Sequence, residues 1–209
     1  MYHLPARGIL PRVSDHHDQS AHPPALFTIA VVVIGVGLNL SLSLLNEWAS
    51  LPFFMDTIGT AVAAVTVGLV PALIVAVGTN ASFELVYGMD FEHLPFAICG
   101  IATVLILRAF LARGYFRNTG HTLIASLAVA LANALLGGII AAFLFQGVTG
   151  VGIDYLVAGL VASGQSILSA SFWARVPANI VDKTIAVFIA YFTRDYLLAL
   201  SGRLRVRLS

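Results

Sequence analysis

Charge is what this sequence has least of. Of 209 residues, 11 are Lys or Arg and 10 are Asp or Glu, so charged residues make up 10% of the chain. A soluble domain carries about 25%. Twenty-one charges cannot coat a water-facing surface of this size, which excludes an ordinary soluble enzyme. There is one cysteine, Cys99, so no internal disulfide forms and a secreted disulfide scaffold is excluded. The net charge is only +1, which gives no basis for nucleic-acid binding. No HExxH, GxSxG, CxxC or Walker A motif occurs. Gly164-Gln165-Ser166 would suit an intramembrane serine protease, but no His lies at a matching depth in a later span. The reading is of a non-enzyme without catalytic residues. Any energy from ATP has to come from a partner.

What is abundant is apolar. Hydrophobic residues are 59% of the chain and the mean hydropathy is +0.93. A membrane-spanning helix needs about 20 apolar residues, so this length allows about six spans with short connections. The expected class is all-α, a polytopic membrane protein. Its domains read as a polar cytoplasmic arm at 1–24, a transmembrane domain at 25–200 and a basic cytoplasmic tail at 201–209. The arm holds four His residues (His3, His16, His17, His22), whose spacing fits no compact metal site. It is no signal peptide, because the apolar stretch begins only near Ala25.

Span one is expected at Ala25–Leu45, which carries no charge. The uncharged run Thr57–Phe83 is too long for one helix, and Gly68 and Pro71 punctuate its middle. It reads as a tight hairpin, Pro52–Val67 then Leu69–Tyr87. Spans four and five follow at Leu94–Ala112 and Thr122–Phe145, with Arg108 placed to snorkel to the surface. Gln146 to Gly152 reads as a Gly-rich turn. Tyr155–Ala174 is uncharged, and Val176–Leu200 contains Asp182, Lys183, Arg194 and Asp195.

Charge then sets the topology. With the N-terminus inside, nine of the eleven basic residues fall on the cytoplasmic side, as the positive-inside rule requires. That pattern needs six spans. The segment 155–174 is therefore expected to be an embedded or re-entrant outer segment, bending before Pro177 into the last span. Both termini are then cytoplasmic, and the protein is a multi-pass protein of the inner (cytoplasmic) membrane. Glu47, Asp56, Glu84, Asp90, Glu92 and Asp154 all fall outside.

Ionisable groups within a span are costly and face a cavity or a partner. Arg175, Asn179, Asp182 and Lys183 share one helical face, and Lys183 lies roughly 10 Å deep at 1.5 Å per residue. Asn80, Glu84 and Tyr87 share another. Asp56 and Glu84 are the available counter-charges for Lys183, with Asp182 beside it. The candidate substrate-binding residues are Asp56, Asn80, Glu84, Tyr87, Asn179, Asp182 and Lys183, with Trp48, Tyr87 and Trp173 as stacking groups. The acid-rich outer side favours a substrate bearing an amine or cationic ring, while Arg175 and Lys183 leave room for a carboxylate. Asn133 and Thr60 read chiefly as bonds between helices. Small residues line stripes at 126, 130, 134, 138, 142 and at 158 to 178, which pack helices closely or offer a sliding surface to another subunit.

The run from Leu51 through Pro52, Phe53, Phe54, Met55, Asp56, Thr57, Ile58 and Gly59 to Thr60 carries a resemblance, together with the Gly68 and Pro71 turn and Gly78-Thr79-Asn80. So does Arg175-Val176-Pro177-Ala178-Asn179-Ile180-Val181-Asp182-Lys183. Over most of residues 25–200 the sequence resembles the substrate-binding S components of energy-coupling factor (ECF) transporters, without matching a vitamin-assigned branch. The resemblance implies a six-helix protein that takes a vitamin, precursor or other small molecule from outside. It also implies a transmembrane T subunit and a pair of cytoplasmic ATPases as partners, and toppling in the bilayer to release substrate inward. The family's Ala-xxx-Ala docking stripe in helix one is replaced by Gly37-xxx-Ser41. Met1-Tyr2-His3 does not match the ligand set of the nickel and cobalt members, so no metal and no cofactor is expected. The alternatives are a ligand- or bilayer-sensing membrane protein without transport, and a stand-alone secondary carrier. A carrier would favour internal inverted repeats, and none is convincing.

Overall fold

A computed structural model describes residues 23–89 and 91–208. The His residues and Arg7 and Arg12 of the arm, and Asp90, lie outside them. Among the described residues the chain is all-helical with no strand. The helices are α1 Ala25–Trp48, α2 Ile58–Thr66, α3 Leu69–Tyr87, α4 Ala97–Ala112 entered through a short turn at Leu94–Phe96, α5 Thr119–Phe145, α6 Asp154–Ala162 and α7 Ile167–Leu208. Five stretches among the described residues are long and apolar enough to cross a membrane: α1, α3, Leu94–Ala112, α5 and the greater part of α7. This is a multi-pass membrane protein.

The surface agrees with lipid as the solvent. On α1, Leu26, Ile29, Val33 and Ile34 are each more than half exposed, and exposed Leu and Ile continue along α3 and α5. An apolar patch of that extent is untenable in water.

Local signals set most helix ends. Gly68, at φ +102°, separates α2 from α3, and Pro71 sits in the first turn of α3 where no backbone N–H partner is lost. Gly88 closes α3 in the left-handed region, its N–H donating to the Glu84 carbonyl at 3.1 Å. Asn118 caps α5, its Oδ1 accepting from the His121 N–H at 2.9 Å.

Four expectations need correction. The first member of the hairpin is no full span: α2 has nine residues, about 14 Å at 1.5 Å per residue, and Pro52–Thr57 ahead of it is not helical. The stretch 155–174 is not one outer segment. It divides into α6, a turn at 163–166 with Gly164 at φ +94°, and the first two turns of α7. Nor does the chain bend into a new helix before Pro177, because α7 runs through it for 42 residues. Hydropathy alone does not place these limits, since the polar Ser163, Gly164, Gln165 and Ser166 suit a re-entrant segment held against protein as well as a turn between two helices. Arg108 also turns inward, donating from Nη1 to the Ala64 carbonyl at 3.2 Å. It thereby satisfies one of the carbonyls that α2 leaves free at its C-terminal turn.

Helices α5 and α7 pack together more extensively than any other pair, through the small-residue face. A Cβ at Gly138 would lie 3.0 Å from the Phe172 Cα, and Ser126, Ala130 and Ala134 are buried on the same line. Of the second stripe, Ala170, Ala174 and Ala178 are buried, while Ala158, Ala162 and Ser166 face outward. A still closer contact joins α1 to α2: a Cβ at Gly59 would meet the Gly35 carbonyl oxygen at 2.2 Å. Asn39 locks that crossing. Its Oδ1 accepts the Gly59 N–H at 2.7 Å, and its Nδ2 donates to Thr60 at 3.0 Å and Thr79 at 3.1 Å. Thr60 is thus a bond between helices.

The apolar core, with Phe27, Val65, Val75, Leu107, Val129 and Val187, fills one half of the bundle. A smaller cluster of Ile153, Val157, Ala170 and Ala174 seats α6 against α7. The other half is largely polar inside.

Candidate functional site

The polar half gathers where α1, α3 and α5 end and α4 and α7 begin. A cavity of about 110 Å³ opens there, enough for several waters or a small organic group. Its wall takes Asn46 from α1, Asn80 and Phe83 from α3, Cys99 from α4, Asn133 and Gly137 from α5, and Arg175, Asn179 and Lys183 from α7. The non-helical stretch 53–56 contributes Phe53, Phe54 and Asp56.

Lys183 is the centre of an ion triad. Its Nζ lies 2.8 Å from Asp56 Oδ1, 2.7 Å from Asp182 Oδ2 and 2.7 Å from Thr57 Oγ1, so its three N–H donors are all used. The Asp182 Oδ1 accepts the Met55 N–H at 3.1 Å. Lys183 and Asp182 are buried, whereas the Asp56 side chain is 32% exposed. The triad pins the chain ahead of α2 to the middle of α7, and the Phe54 ring sits 5.4 Å from the ammonium. One cation against two carboxylates leaves the triad a formal charge of −1.

Arg175, two turns earlier on α7, is in a different state. It is 1% exposed, and no carboxylate lies within ion-pair distance of it among the described residues. Nη1 donates to the Ser171 carbonyl at 3.2 Å and Nη2 to Thr149 Oγ1 at 3.2 Å. Nε has no partner among the described residues. The Thr149 hydroxyl donates in turn to Asp154 at 2.9 Å, and the Asp154 carboxylate also accepts the Thr149 and Gly150 N–H groups, each at 2.7 Å.

Of the seven residues singled out in the sequence, the fold brings Asp56, Asn80, Asn179 and Lys183 to the cavity wall. Asp182 stands behind Lys183 as its partner. Glu84 and Tyr87 are employed elsewhere. The Glu84 carboxylate accepts the N–H groups of Phe91, His93 and Leu94 at 2.6 to 2.7 Å and so orders the turn after α3. Glu84 therefore does not serve Lys183. Tyr87 is 41% exposed, its hydroxyl donates to the Glu47 carboxylate, and its ring stacks on His93 at 5.0 Å. The proposed stacking groups Trp48 and Trp173 are 86% and 57% exposed and point away from the cavity. Phenylalanines supply its aromatic wall instead, with Phe96 and Phe145 stacked at 5.7 Å. Those phenylalanines, His93 and Gly137 went unnoticed in the sequence because nothing distinguishes a cavity phenylalanine from a lipid-facing one. Asn133, besides lining the cavity, donates to Thr103 at 2.9 Å.

Among the described residues no group of three or more His, Cys, Asp and Glu is placed to hold a metal. No family model, curated protein or solved structure matches this chain.

Proposed function

We propose that this protein is a membrane-embedded solute-capture subunit of the ECF S-component type. It takes a small organic molecule, such as a vitamin, precursor or amine-bearing metabolite, from outside for ATP-driven uptake by a separate energising module. One observation carries the reading: a cavity at one end of a lipid-solvated bundle, lined from all five of its long helical stretches, with amides, buried ions and phenylalanines in its wall. Lipid-facing helices do not retain such groups without a use for them. The mixture of apolar wall and a few fixed polar groups is that of a small-molecule site.

The topology that fits this reading has six crossings, the non-helical 51–57 and short α2 together making the second. Both termini are then cytoplasmic and the cavity faces outward. Arg203 and Arg205 at the end of α7 stay inside, as the positive-inside rule asks. A transmembrane T subunit and a cytoplasmic ATPase pair are the partners that would supply energy. The S-component resemblance of the 51–60 and 175–183 stretches fits the triad, since these two stretches are the ones that Lys183 joins.

The test is mass spectrometry of small molecules extracted from protein purified in mild detergent. A solute enriched over an equal mass of an unrelated membrane protein is expected, and Asn179→Ala should lower its retention. No enriched solute, together with no thermal stabilisation by a library of small metabolites, would refute the proposal.

A further inference from the structure

Two cations face this cavity from α7, and their partners separate them. Lys183 has two carboxylates and a hydroxyl, so it has no bond left to give. Arg175 is as deeply buried, has no carboxylate within ion-pair distance among the described residues, and keeps Nε without a partner. A buried guanidinium normally has an anion against it, because burying an uncompensated charge is costly. Asp154 lies near enough to act on the guanidinium electrostatically and is bridged to it by the Thr149 hydroxyl, but it makes no ion pair with it and its own oxygens are taken by three donors of the 149–150 turn.

The guanidinium belongs to the cavity wall, although its Nε is itself buried. At Gly137 a Cβ would lie 3.6 Å from the Arg175 Cδ, 3.8 Å from Nε and 3.8 Å from the Cys99 Sγ, and all three residues line the cavity. A side chain at Gly137 would pack directly on the guanidinium. A second unpartnered atom has the opposite sense: Asn46 is 3% exposed and its Oδ1 accepts nothing. Its amide is oriented, because Nδ2 donates to the Leu51 and Phe53 carbonyls at 3.3 and 2.7 Å.

We infer that Arg175 is the receptor for the anionic group of the solute, and that the solute is an aromatic-bodied carboxylate with a hydrogen-bond donor for Asn46. The carboxylate lies on the guanidinium, in the charge-assisted geometry Arg favours. The ring lies among Phe53, Phe83, Phe96 and Phe145. This rests on the cavity's being a solute site and specifies its chemistry. Glu47 and Glu92 also line the cavity; Glu47 accepts the Tyr87 hydroxyl and Glu92 is exposed, while the acids of the triad are neutralised in part by Lys183, so Arg175 is the cation left for the carboxylate.

The test titrates full-length protein in mild detergent with benzoate, benzamide and benzylamine, which share a ring and differ in charge. Benzoate is expected to bind about tenfold tighter than benzamide, and Arg175→Gln to abolish the difference. Arg175→Lys, which retains charge, should keep part of it and reports on folding. Equal binding of benzoate and benzamide, or discrimination surviving in Arg175→Gln, overturns the anion assignment and leaves the solute-site reading standing. A second measurement needs no solute. Cys99, the chain's one cysteine, reports the local potential through its modification rates by an anionic and a cationic methanethiosulfonate. The ratio of anionic to cationic rate should fall about tenfold in Arg175→Gln, and an unchanged ratio overturns the assignment. Failure of all three probes to bind overturns the aromatic carboxylate. If the extracts also carry no solute, the solute-site reading falls with it.

Discussion

Replacing Lys183 by Met isolates the interaction that joins the chain ahead of α2 to α7. The substitution removes one cation and three hydrogen bonds and keeps an apolar stem of similar length. The cost is unequal at the two carboxylates. Asp56 is 32% exposed and recovers water, while Asp182 is buried and keeps only the Met55 N–H. Removing one member of a buried ion pair costs about 3–5 kcal/mol. With one of the two acids able to hydrate, the lower end applies, about 3 kcal/mol. The assay is reversible unfolding in mixed micelles at increasing dodecyl sulfate, followed by circular dichroism. Adding Asp182→Asn to Lys183→Met should return about 1–2 kcal/mol, because the stranded charge is gone. A Lys183→Met protein within about 1 kcal/mol of the parent, or a double variant no better than the single one, would refute the reasoning.

Further outcomes follow from the same geometry. Gly59→Ala should prevent stable folding, since its Cβ meets the Gly35 backbone at 2.2 to 2.6 Å, whereas Gly37→Ala, with nothing within 4 Å, should be neutral; yield of monodisperse protein separates them. Asn39→Ala strands the Gly59 N–H and removes the donor to the Thr60 and Thr79 hydroxyls, and should cost about 1–3 kcal/mol in the same unfolding assay. Glu84→Gln weakens three charge-assisted bonds, so amide exchange at Phe91, His93 and Leu94 should quicken while α3 stays protected. In a Cys99→Ala background, a cysteine at exposed Trp48 should react with an impermeant thiol reagent added outside and one at exposed Arg203 only from inside. The reverse pattern would overturn the N-in orientation.

The long helices were legible because their signal is local. The bounds of α1, α3, α4 and α5 lie within a few residues of the spans expected at Ala25–Leu45, Leu69–Tyr87, Leu94–Ala112 and Thr122–Phe145, and Gly68 announces its break because few other residues take that backbone without strain. The limits of α2, α6 and α7 were not, since Pro52 suits a helix start as well as an extended stretch, Ser163 to Ser166 suit a re-entrant segment as well as a turn, and Pro177 stands inside a helix as well as at its start. Asp56, Asp182 and Lys183 were legible as a charge cluster because ionisable groups in an apolar run need partners wherever they fall.

Which partner each charge takes was decided only in three dimensions. Sequence alone left Glu84 as available to Lys183 as Asp56, and left Arg175 and Lys183 as equivalent cations. The fold turns Glu84 onto the backbone N–H groups that follow α3, brings Asp56 and Asp182 together on Lys183, and leaves Arg175 beside Gly137 with Asp154 reached through the Thr149 hydroxyl and no carboxylate within ion-pair distance among the described residues. Hydropathy and charge counts fix which residues meet the membrane, because transfer to lipid is a property of each side chain. Pairing is a property of distances, and those exist only once the helices have packed.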